Sequence, residues 1–301
     1  MDPNGRKRKN GKPVHGWVNL DKPYDFGSTK AVGRVRWLLE AQKAGHAGTL
    51  DPLATGVLPI ALGEATKTVP YLMDADKAYT FDIRFGHETT TGDVEGEATE
   101  DSKHRPTVAE LEAAIPAFTG TIEQVPPMFS AIKIHGKRAY DLARAGEAVE
   151  ISSRTVRIDA LTLEGFDGET ARLSVECGKG TYVRSLARDL ARAVGSRGHV
   201  TYLRRTRVGS FTEATAIGLD ALEGMDYAAR VAALAPIDCA LDDIPVLAVG
   251  TDEAADLKLG RAVRSPDAPP ETTLLAKANG VAVALCQSRD GKLHPKRVFN
   301  I

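Results

Sequence analysis

The chain has 301 residues, of which 43% are hydrophobic and 26% charged, and its formal net charge is -1. The length allows two domains, or one large domain with a small appendage, and the composition is that of an ordinary globular protein. The net charge excludes a polycation. Its cysteines, Cys177, Cys239 and Cys286, lie far apart and form no C-x-x-C pair, which excludes a disulfide framework or a cysteine-based zinc site and fits a reducing compartment.

The first 13 residues read MDPNGRKRKNGKP and predict a disordered basic arm. No apolar stretch follows the arm, so it does not have the pattern of a secretory signal. The chain contains no run of about 18 apolar residues, so no membrane span is predicted. We therefore expect a cytoplasmic protein.

The first predicted elements are a strand and a helix. Residues 17–20 read as a short strand that runs into Asp21, Lys22 and Pro23. Ser28 or Thr29 is placed to cap the helix that follows. The apolar residues of this helix fall on one face: Val32, Val35, Leu38 and Leu39.

The next segment, residues 45–67, reads GHAGTLDPLATGVLPIALGEATK. Its glycines and prolines predict irregular backbone, while its apolar side chains can anchor the loop against a core. Asp51 stands near the centre, and Pro52 biases it towards an extended conformation. Such a loop can hold one carboxylate still. A buried Asp-Pro turn whose carboxylate caps an amide is the simpler alternative.

Residues 79–86 alternate aromatic or apolar with polar side chains, which predicts a strand with one buried face. Residues 86–96 then form a polar loop. Thr107 and Glu110 have the spacing of a capping box at the start of a helix that ends before Pro116.

A second group of strands is predicted after this helix. Residues 129–134 read as a strand followed by a turn at His135-Gly136. Residues 156–177 carry two alternating runs around Asp167-Gly168, which predicts a β-hairpin.

The hairpin leads into a helix with an arginine on successive turns of one face, at 184, 188 and 192. Tyr182 and Arg184 fall at the strand-to-helix junction, where side chains can point into a cleft. Residues 184–207 hold seven arginines and one acidic residue, Asp189. This asymmetry predicts a basic face for a polyanion, with a solvated charged helix as the alternative.

The rest of the chain divides into an acidic stretch and a compact tail. Residues 212–242 look helical. The tail at 245–301 predicts a helix near 251–259 and strands at 273–277, 281–285 and 296–299.

Several of these segments together resemble the motifs of a known family, the bacterial stand-alone tRNA pseudouridine-55 synthases of the TruB family. The matching segments are GHAGTLDPLATGVL at 45–58, KAY at 77–79, QVPPMFSAIK at 124–133, GTYVRSL at 180–186 and HVTYLRRTRVGSF at 199–211. A match of this length carries a low risk of coincidence. The match at Lys22-Pro23 is partial, because YDFGST follows where the family has x-G-x-T-S.

The resemblance implies an α+β fold: a mixed, largely antiparallel sheet flanked by helices around a central catalytic cleft, with a small C-terminal β-rich PUA-like domain. We accordingly expect a disordered arm at 1–13, a catalytic domain at 14–244 and an RNA-binding domain at 245–301. The resemblance also implies an enzyme that isomerises uridine to pseudouridine at position 55 in the T loop of tRNA, with a single catalytic aspartate and base flipping.

Carried over residue by residue, the resemblance implies that Asp51, Tyr79 and Arg184 are catalytic, with Arg184 paired with Asp51. It further implies that the substrate is bound by four residues: His46, Tyr182, Leu203 and Lys22. The reaction exchanges no electrons, so we expect no cofactor and no metal. The expected partner is the T arm of tRNA, and we expect a monomer without an obligate protein partner.

Two other functions stay open on the sequence. One is an RNA-binding protein that remodels tRNA without the chemistry, and the combination of Asp51, Tyr79 and Arg184 argues against this as the sole function. The other is a metal-free hydrolase that forms an aspartyl intermediate on a small sugar substrate, and the arginine-rich segment 184–207 argues against it.

Overall fold

A computed structural model of the chain describes residues 11–130 and 151–301, together with the backbone of two short strands between them. Residues 1–10 of the arm predicted at 1–13, and the predicted turn at His135-Gly136, lie outside the described residues, whereas Lys12 of the arm is ordered by an ion pair with Glu40. The first strands are β1 (Gly16–Lys22), β2 (Ala44–His46), β3 (Thr55–Leu62), β4 (Lys77–Phe85), β5 (His87–Thr89), β6 (Ala98–Asp101), β7 (Gly120–Gln124), β8 (Lys133–Ile134), β9 (Lys137–Arg138) and β10 (Arg154–Phe166). The later strands are β11 (Thr170–Cys177), β12 (Gly198–Val208), β13 (Phe211–Thr212), β14 (Ile217–Gly218), β15 (Val246–Ala248), β16 (Val263–Arg264), β17 (Thr273–Ala278), β18 (Val281–Arg289) and β19 (Lys292–Val298).

The described α-helices are α1 (Ser28–Leu38), α2 (Val69–Asp74), α3 (Val108–Ala114), α4 (Val183–Ala193), α5 (Leu219–Gly224), α6 (Tyr227–Ala232) and α7 (Thr251–Lys258). Short 3₁₀ turns are Gly63–Lys67, Ile115–Phe118, Glu213–Thr215 and Ile237–Ala240. None of the helices within the described residues combines the length and the apolar character that a membrane-spanning helix needs.

A large sheet forms the centre of the molecule. Its strand order is β14-β1-β3-β12-β4-β11-β10-β7, with β2 added to β3 and β13 added to β12. Two pairs are parallel, β1 with β14 and β3 with β12, and the others are antiparallel. The fold is therefore the predicted α+β class with a mixed, largely antiparallel sheet.

Local sequence signals explain several of these elements. The alternation in β4 buries Phe81 and Ile83 on one face, as predicted. The predicted hairpin joins β10 to β11, with Gly168 at φ +97° and the Asp167 carboxylate accepting two backbone N–H groups after the turn. The predicted capping box of α3 is present at Thr107.

Two apolar cores lie against the sheet and meet at the cleft. Helix α4 buries Leu186 and Leu190 in a core with β4 and β11, and α1 buries Val35 in a second core with β1 and β3. Tyr79 and Leu203 pack against both cores. Their side chains therefore lie where the two cores meet.

Three predictions for the N-terminal half need correction. Residues 45–67 are not irregular throughout, because β3 crosses the centre of the sheet there. Neither Ser28 nor Thr29 caps α1: the N-cap is Gly27, and the Ser28 side chain bonds Leu50 instead. The polar loop at 86–96 contains a strand, β5, that pairs with β6.

Two further predictions were right in part. The strand predicted at 129–134 is described only at β8, which pairs with β9, and residues 131–132 lie outside the described residues. The stretch at 212–242 holds only two short helices, α5 and α6, between strands and 3₁₀ turns.

The tail forms a second sheet of strand order β15-β17-β18-β19-β16, with α7 beside it. The helix and strands predicted at 251–299 are present. This sheet is not isolated, because Leu285 and Phe299 share one buried core with Trp17 and Val57 of the central sheet. The division of the chain at residue 245 stays a prediction.

Candidate active site

Asp51 lies in the turn between β2 and β3, and its neighbours anchor the turn. The Ser28 hydroxyl accepts the Leu50 N–H at 2.9 Å and donates to the Leu50 carbonyl at 2.7 Å. The Asp51 carbonyl accepts the Ala54 N–H at 3.1 Å. The predicted anchoring is therefore present, and it leaves the carboxylate facing a cleft.

Arg184 meets Asp51 from the first turn of α4. Its guanidinium Nε lies 2.9 Å from Asp51 Oδ2, and the arginine is only 6% exposed. The other two nitrogens donate to backbone carbonyls, Nη1 to Thr91 at 2.7 Å and Nη2 to Phe129 at 2.9 Å. The guanidinium is therefore fixed from three sides, and the pair expected from the sequence is formed.

A second carboxylate, which the sequence interpretation missed, faces the same guanidinium. Asp93 is 8% exposed, and its Oδ2 lies 3.6 Å from Arg184 Nη1. Its other oxygen accepts the Glu95 N–H at 3.1 Å and the Thr91 hydroxyl. The sequence signal for this residue is weak, because Asp93 stands among small polar residues that predict a solvated loop.

Asp51 and Arg184 line a cleft of about 280 Å³. Three other predicted site residues line it as well: Tyr79, Tyr182 and Leu203. The structure thus brings together five of the seven predicted site residues, from β4, β12, α4 and the β2–β3 turn. Two tyrosines and a leucine beside an ion pair are an arrangement that can enclose a planar base and place a carboxylate beside its sugar.

The two tyrosines of the cleft are protonated at neutral pH. Burial raises the pKa of Tyr79, although the nearby Arg205 guanidinium opposes this. Burial also raises the pKa of Tyr182. The Tyr182 ring faces the Arg154 guanidinium at 5.7 Å, and its backbone N–H donates to Gln124 Oε1 at 2.7 Å.

Lys22 is not at the surface of the cleft. It has no exposed surface, and its Nζ donates to the carbonyls of Pro23, Phe26 and Pro52 at 2.7 to 2.9 Å. Burial lowers the pKa of Lys22 to about 8. These contacts tie the lysine to the chain just after Asp51.

His46 lies on β2, opposite Ile60 of β3, and is half-buried. Burial, and to a smaller extent the Arg205 charge, lower the pKa of His46. Its Nδ1 is buried and has no hydrogen-bond partner among the described residues. The side chain stands on the strand that leads to the Asp51 turn, and it does not line the cleft.

Acidic residues compensate much of the positive charge of the basic face predicted from residues 184–207. Most of its arginines pair with acidic residues that are distant in sequence. The pairs are Arg192 with Glu88, Arg197 with Glu100, Arg204 with Asp21 and Arg207 with Glu176, while Arg188 pairs with its neighbour Asp189. Counting charges within the segment overlooked these acids.

Within residues 11–130 and 151–301, no cluster of three or more His, Cys, Asp or Glu side chains is arranged to hold a metal.

Two family models match the chain. The model of the TruB family pseudouridylate synthase N-terminal domain matches residues 36–183, and that of the tRNA pseudouridylate synthase B C-terminal domain matches residues 184–242. Together they cover the Asp51 turn, the helix that carries Arg184 and most of the central sheet.

Full-length relatives and solved structures agree with this match. The chain is 55% identical to the tRNA pseudouridine synthase B of Caulobacter vibrioides, covering 98% of this chain and 99% of the relative. It is 52% identical to the protein of the same name from Rhizobium etli, covering 97% and 98%. Among solved structures, a chain of the archaeal box H/ACA sRNP Nop10-Cbf5 complex superimposes with a TM-score of 0.71 at 23% identity, over 99% of this chain and 93% of that one. This last similarity shows the fold alone.

Proposed function

Because the chain belongs to the TruB family of pseudouridylate synthases, we propose that it isomerises uridine to pseudouridine at position 55 in the T loop of tRNA, with Asp51 as the catalytic residue. The observation that carries the proposal is the pair of Asp51 and Arg184 in a cleft that Tyr79, Tyr182 and Leu203 also line. A single ionised carboxylate with a fixed cation beside it is what this isomerisation requires.

The reaction breaks the bond between C1′ and N1, turns the uracil and forms a bond between C1′ and C5. The proton on C5 is lost and N1 gains one, so no atom is added in net terms and no electrons are exchanged. Asp51 serves either as the nucleophile at C1′ or as the base at C2′. Both routes need the carboxylate ionised at the sugar, and Arg184 supplies the opposite charge there.

The target base must leave its stack to reach Asp51, at a cost of a few kcal/mol. Tyr79 and Leu203 stand at the junction of the two cores, and we assign them to the walls that receive the base. The raised pKa of Tyr79 favours stacking by a neutral phenol over proton abstraction in the free enzyme. We assign Tyr182 to the opposite side of the cleft.

The remaining expectations are part of the proposal. We assign His46 to the RNA at the place that the flipped base vacates, since no described residue bonds its buried Nδ1. Lys22 fixes the Asp51 turn through the Pro52 carbonyl, and we assign it no contact with the substrate. We further propose that residues 14–244 are the catalytic domain and that residues 245–301 add RNA contacts, in a monomer that needs no protein partner.

Release of tritium tests the activity and its site together. A tRNA transcript carrying tritium at C5 of its uridines should lose one tritium per molecule to water when the protein is added. A transcript with cytidine at position 55 should lose none. Equal release from both transcripts would place the reaction at another uridine.

The variant Asp51→Asn tests the catalytic residue. It keeps the shape of the side chain and removes the charge, so it should release no tritium while binding tRNA with nearly the wild-type Kd. Full turnover by this variant would remove Asp51 from the mechanism.

A further inference from the structure

Arg205 is a buried cation directly beneath the Asp51 turn. It is 1% exposed and lies on β12 with its backbone next to Gly56 of β3 and Tyr79 of β4. Unlike the other arginines of its segment, it makes no ion pair with a carboxylate in the described part of the chain. Burying a guanidinium without such a partner is costly unless hydrogen bonds replace water.

The hydrogen bonds of Arg205 go to both ends of the turn. Its Nη1 and Nη2 donate to the carbonyls of Thr49 and Gly48, each at 3.3 Å, just before Asp51. Its Nε donates to the Val57 carbonyl at 2.7 Å, just after the turn enters β3. One rigid side chain therefore closes the loop that presents the carboxylate.

Two other side chains also bond the backbone of the turn. Ser28 bonds Leu50, and Lys22 donates to the Pro52 carbonyl at 2.9 Å. The backbone carbonyls from residue 48 to residue 52 are thus all engaged, Asp51 by Ala54 and the others by side chains. Arg205 is the member of this set that reaches both ends of the turn, and it also lines the cleft beside Tyr79.

We propose that Arg205 is a positioning residue that fixes the turn presenting Asp51 to the substrate. The proposal rests on the proposed function for its consequence in catalysis, while the geometry of the turn is independent of it. The planar guanidinium of Arg205 donates to three carbonyls from three different nitrogens, whereas a lysine ammonium is a single point on a flexible stem. The shape of the side chain therefore matters in addition to its charge.

Two variants separate shape from charge. Arg205→Lys keeps the charge and loses the fork, and Arg205→Met loses both. Arg172→Met is the matched control, because Arg172 lies on β11, two strands from β12 in the same sheet, and pairs with Asp82 at the surface. Hydrogen exchange of the peptide spanning residues 46–58 is measured without RNA, and single-turnover tritium release is measured with tRNA at saturating protein.

In both Arg205 variants this peptide should lose protection from hydrogen exchange. Both variants should also lose about 100-fold in the single-turnover rate, as expected when a reacting group is misplaced. Their Kd for tRNA should stay within about threefold of wild type. Millimolar methylguanidinium should restore part of the rate in Arg205→Met. Arg172→Met should match wild type in both measurements.

Wild-type exchange and rate in Arg205→Lys would overturn the proposal. A rate loss that only follows a drop in Tm, with protection falling equally across the whole chain, would also overturn it by making Arg205 a general stabilising residue. If the wild-type protein releases no tritium, the proposed function fails, and the exchange of residues 46–58 still decides whether Arg205 fixes the turn.

Discussion

Arg184 holds Asp51 through its Nε, at 2.9 Å from Oδ2, while both of its terminal nitrogens are committed to backbone carbonyls. The cation therefore cannot swing away from the carboxylate without breaking contacts to two other segments. A positive charge fixed in this way is already in place before the substrate arrives. It requires no reorganisation during the reaction, which is the condition under which such a charge accelerates catalysis most.

The first prediction concerns this arrangement. Arg184→Lys should lower the single-turnover rate by about 100-fold or more, because an ammonium cannot hold the carboxylate and both carbonyls at once. Tritium release at saturating protein measures it. Arg84→Lys is the control, since Arg84 pairs with Glu169 on the exposed side of the sheet. A rate within threefold of wild type would show that the guanidinium geometry is unimportant.

The second prediction concerns Asp93, which shares the guanidinium with Asp51. Asp93→Asn should reduce the rate by about tenfold or more, because Arg184 loses one of the two acids that fix its orientation. Glu97→Gln, on the exposed part of the same loop, should leave the rate unchanged. If the two variants behave alike, Asp93 has no part in holding Arg184.

Secondary-structure elements that depend on residues close together in the sequence could be predicted from it. The alternation of β4, the hairpin at Asp167-Gly168 and the capping box at Thr107 each follow from interactions within a few residues. The placement of Tyr182 and Arg184 at the start of α4 follows in the same way. The motif resemblance added the association of Asp51 with Arg184, which no local pattern contains.

Pairings between distant segments could not be predicted. Arg204 meets Asp21 across 183 positions, and Arg184 meets Asp93 across a loop that looks solvated. The same limit applies to Lys22, which the resemblance placed among the substrate-binding residues but whose ammonium is enclosed by three carbonyls. Burial of a charged group is decided by the whole fold, so the sequence around it does not reveal it.

The third prediction concerns the close contact of β3 with β12. Gly56 has φ +99°, and a Cβ at this position would lie 2.2 Å from the Arg205 carbonyl oxygen. Gly56→Ala should therefore destabilise the protein by more than the roughly 1 to 3 kcal/mol of backbone strain alone. Gly120→Ala is the matched control, with φ +93° and open space around the added methyl group. Urea denaturation of both variants measures the difference, and equal losses would contradict the close contact.

The fourth prediction is a dependence of stability on pH near neutrality. Burial lowers the pKa of His199, whose ring stacks on His87 at 4.4 Å and whose Nδ1 lies 3.1 Å from the His87 carbonyl. A histidine whose pKa is lower in the folded state binds more protons when unfolded, so stability falls as pH drops below about 6.5. Tm should therefore decrease from pH 7 to pH 5.5, and His199→Gln should show a shallower decrease. Parallel curves for the two proteins would contradict this assignment.

The fifth prediction concerns the contact between the two sheets. Phe299 has no exposed surface and packs in one core with Trp17 of the central sheet. Two hydrogen bonds cross the same boundary: Lys67 Nζ donates to the Val298 carbonyl at 2.6 Å, and the Asn300 N–H donates to Glu64 Oε2 at 2.9 Å. The C-terminal sheet therefore covers apolar surface of the central sheet.

Phe299→Ala should destabilise the whole chain by about 3 to 5 kcal/mol, the usual cost of removing a buried phenylalanine ring. Because the cavity would open between the sheets, unfolding monitored by tryptophan fluorescence and by circular dichroism should shift together. Val281→Ala is the control: Val281 belongs to the same C-terminal sheet but is half exposed, so its loss should cost little. If Phe299→Ala instead leaves the fluorescence transition in place and shifts a separate one, the two sheets unfold independently and the shared core does not couple them.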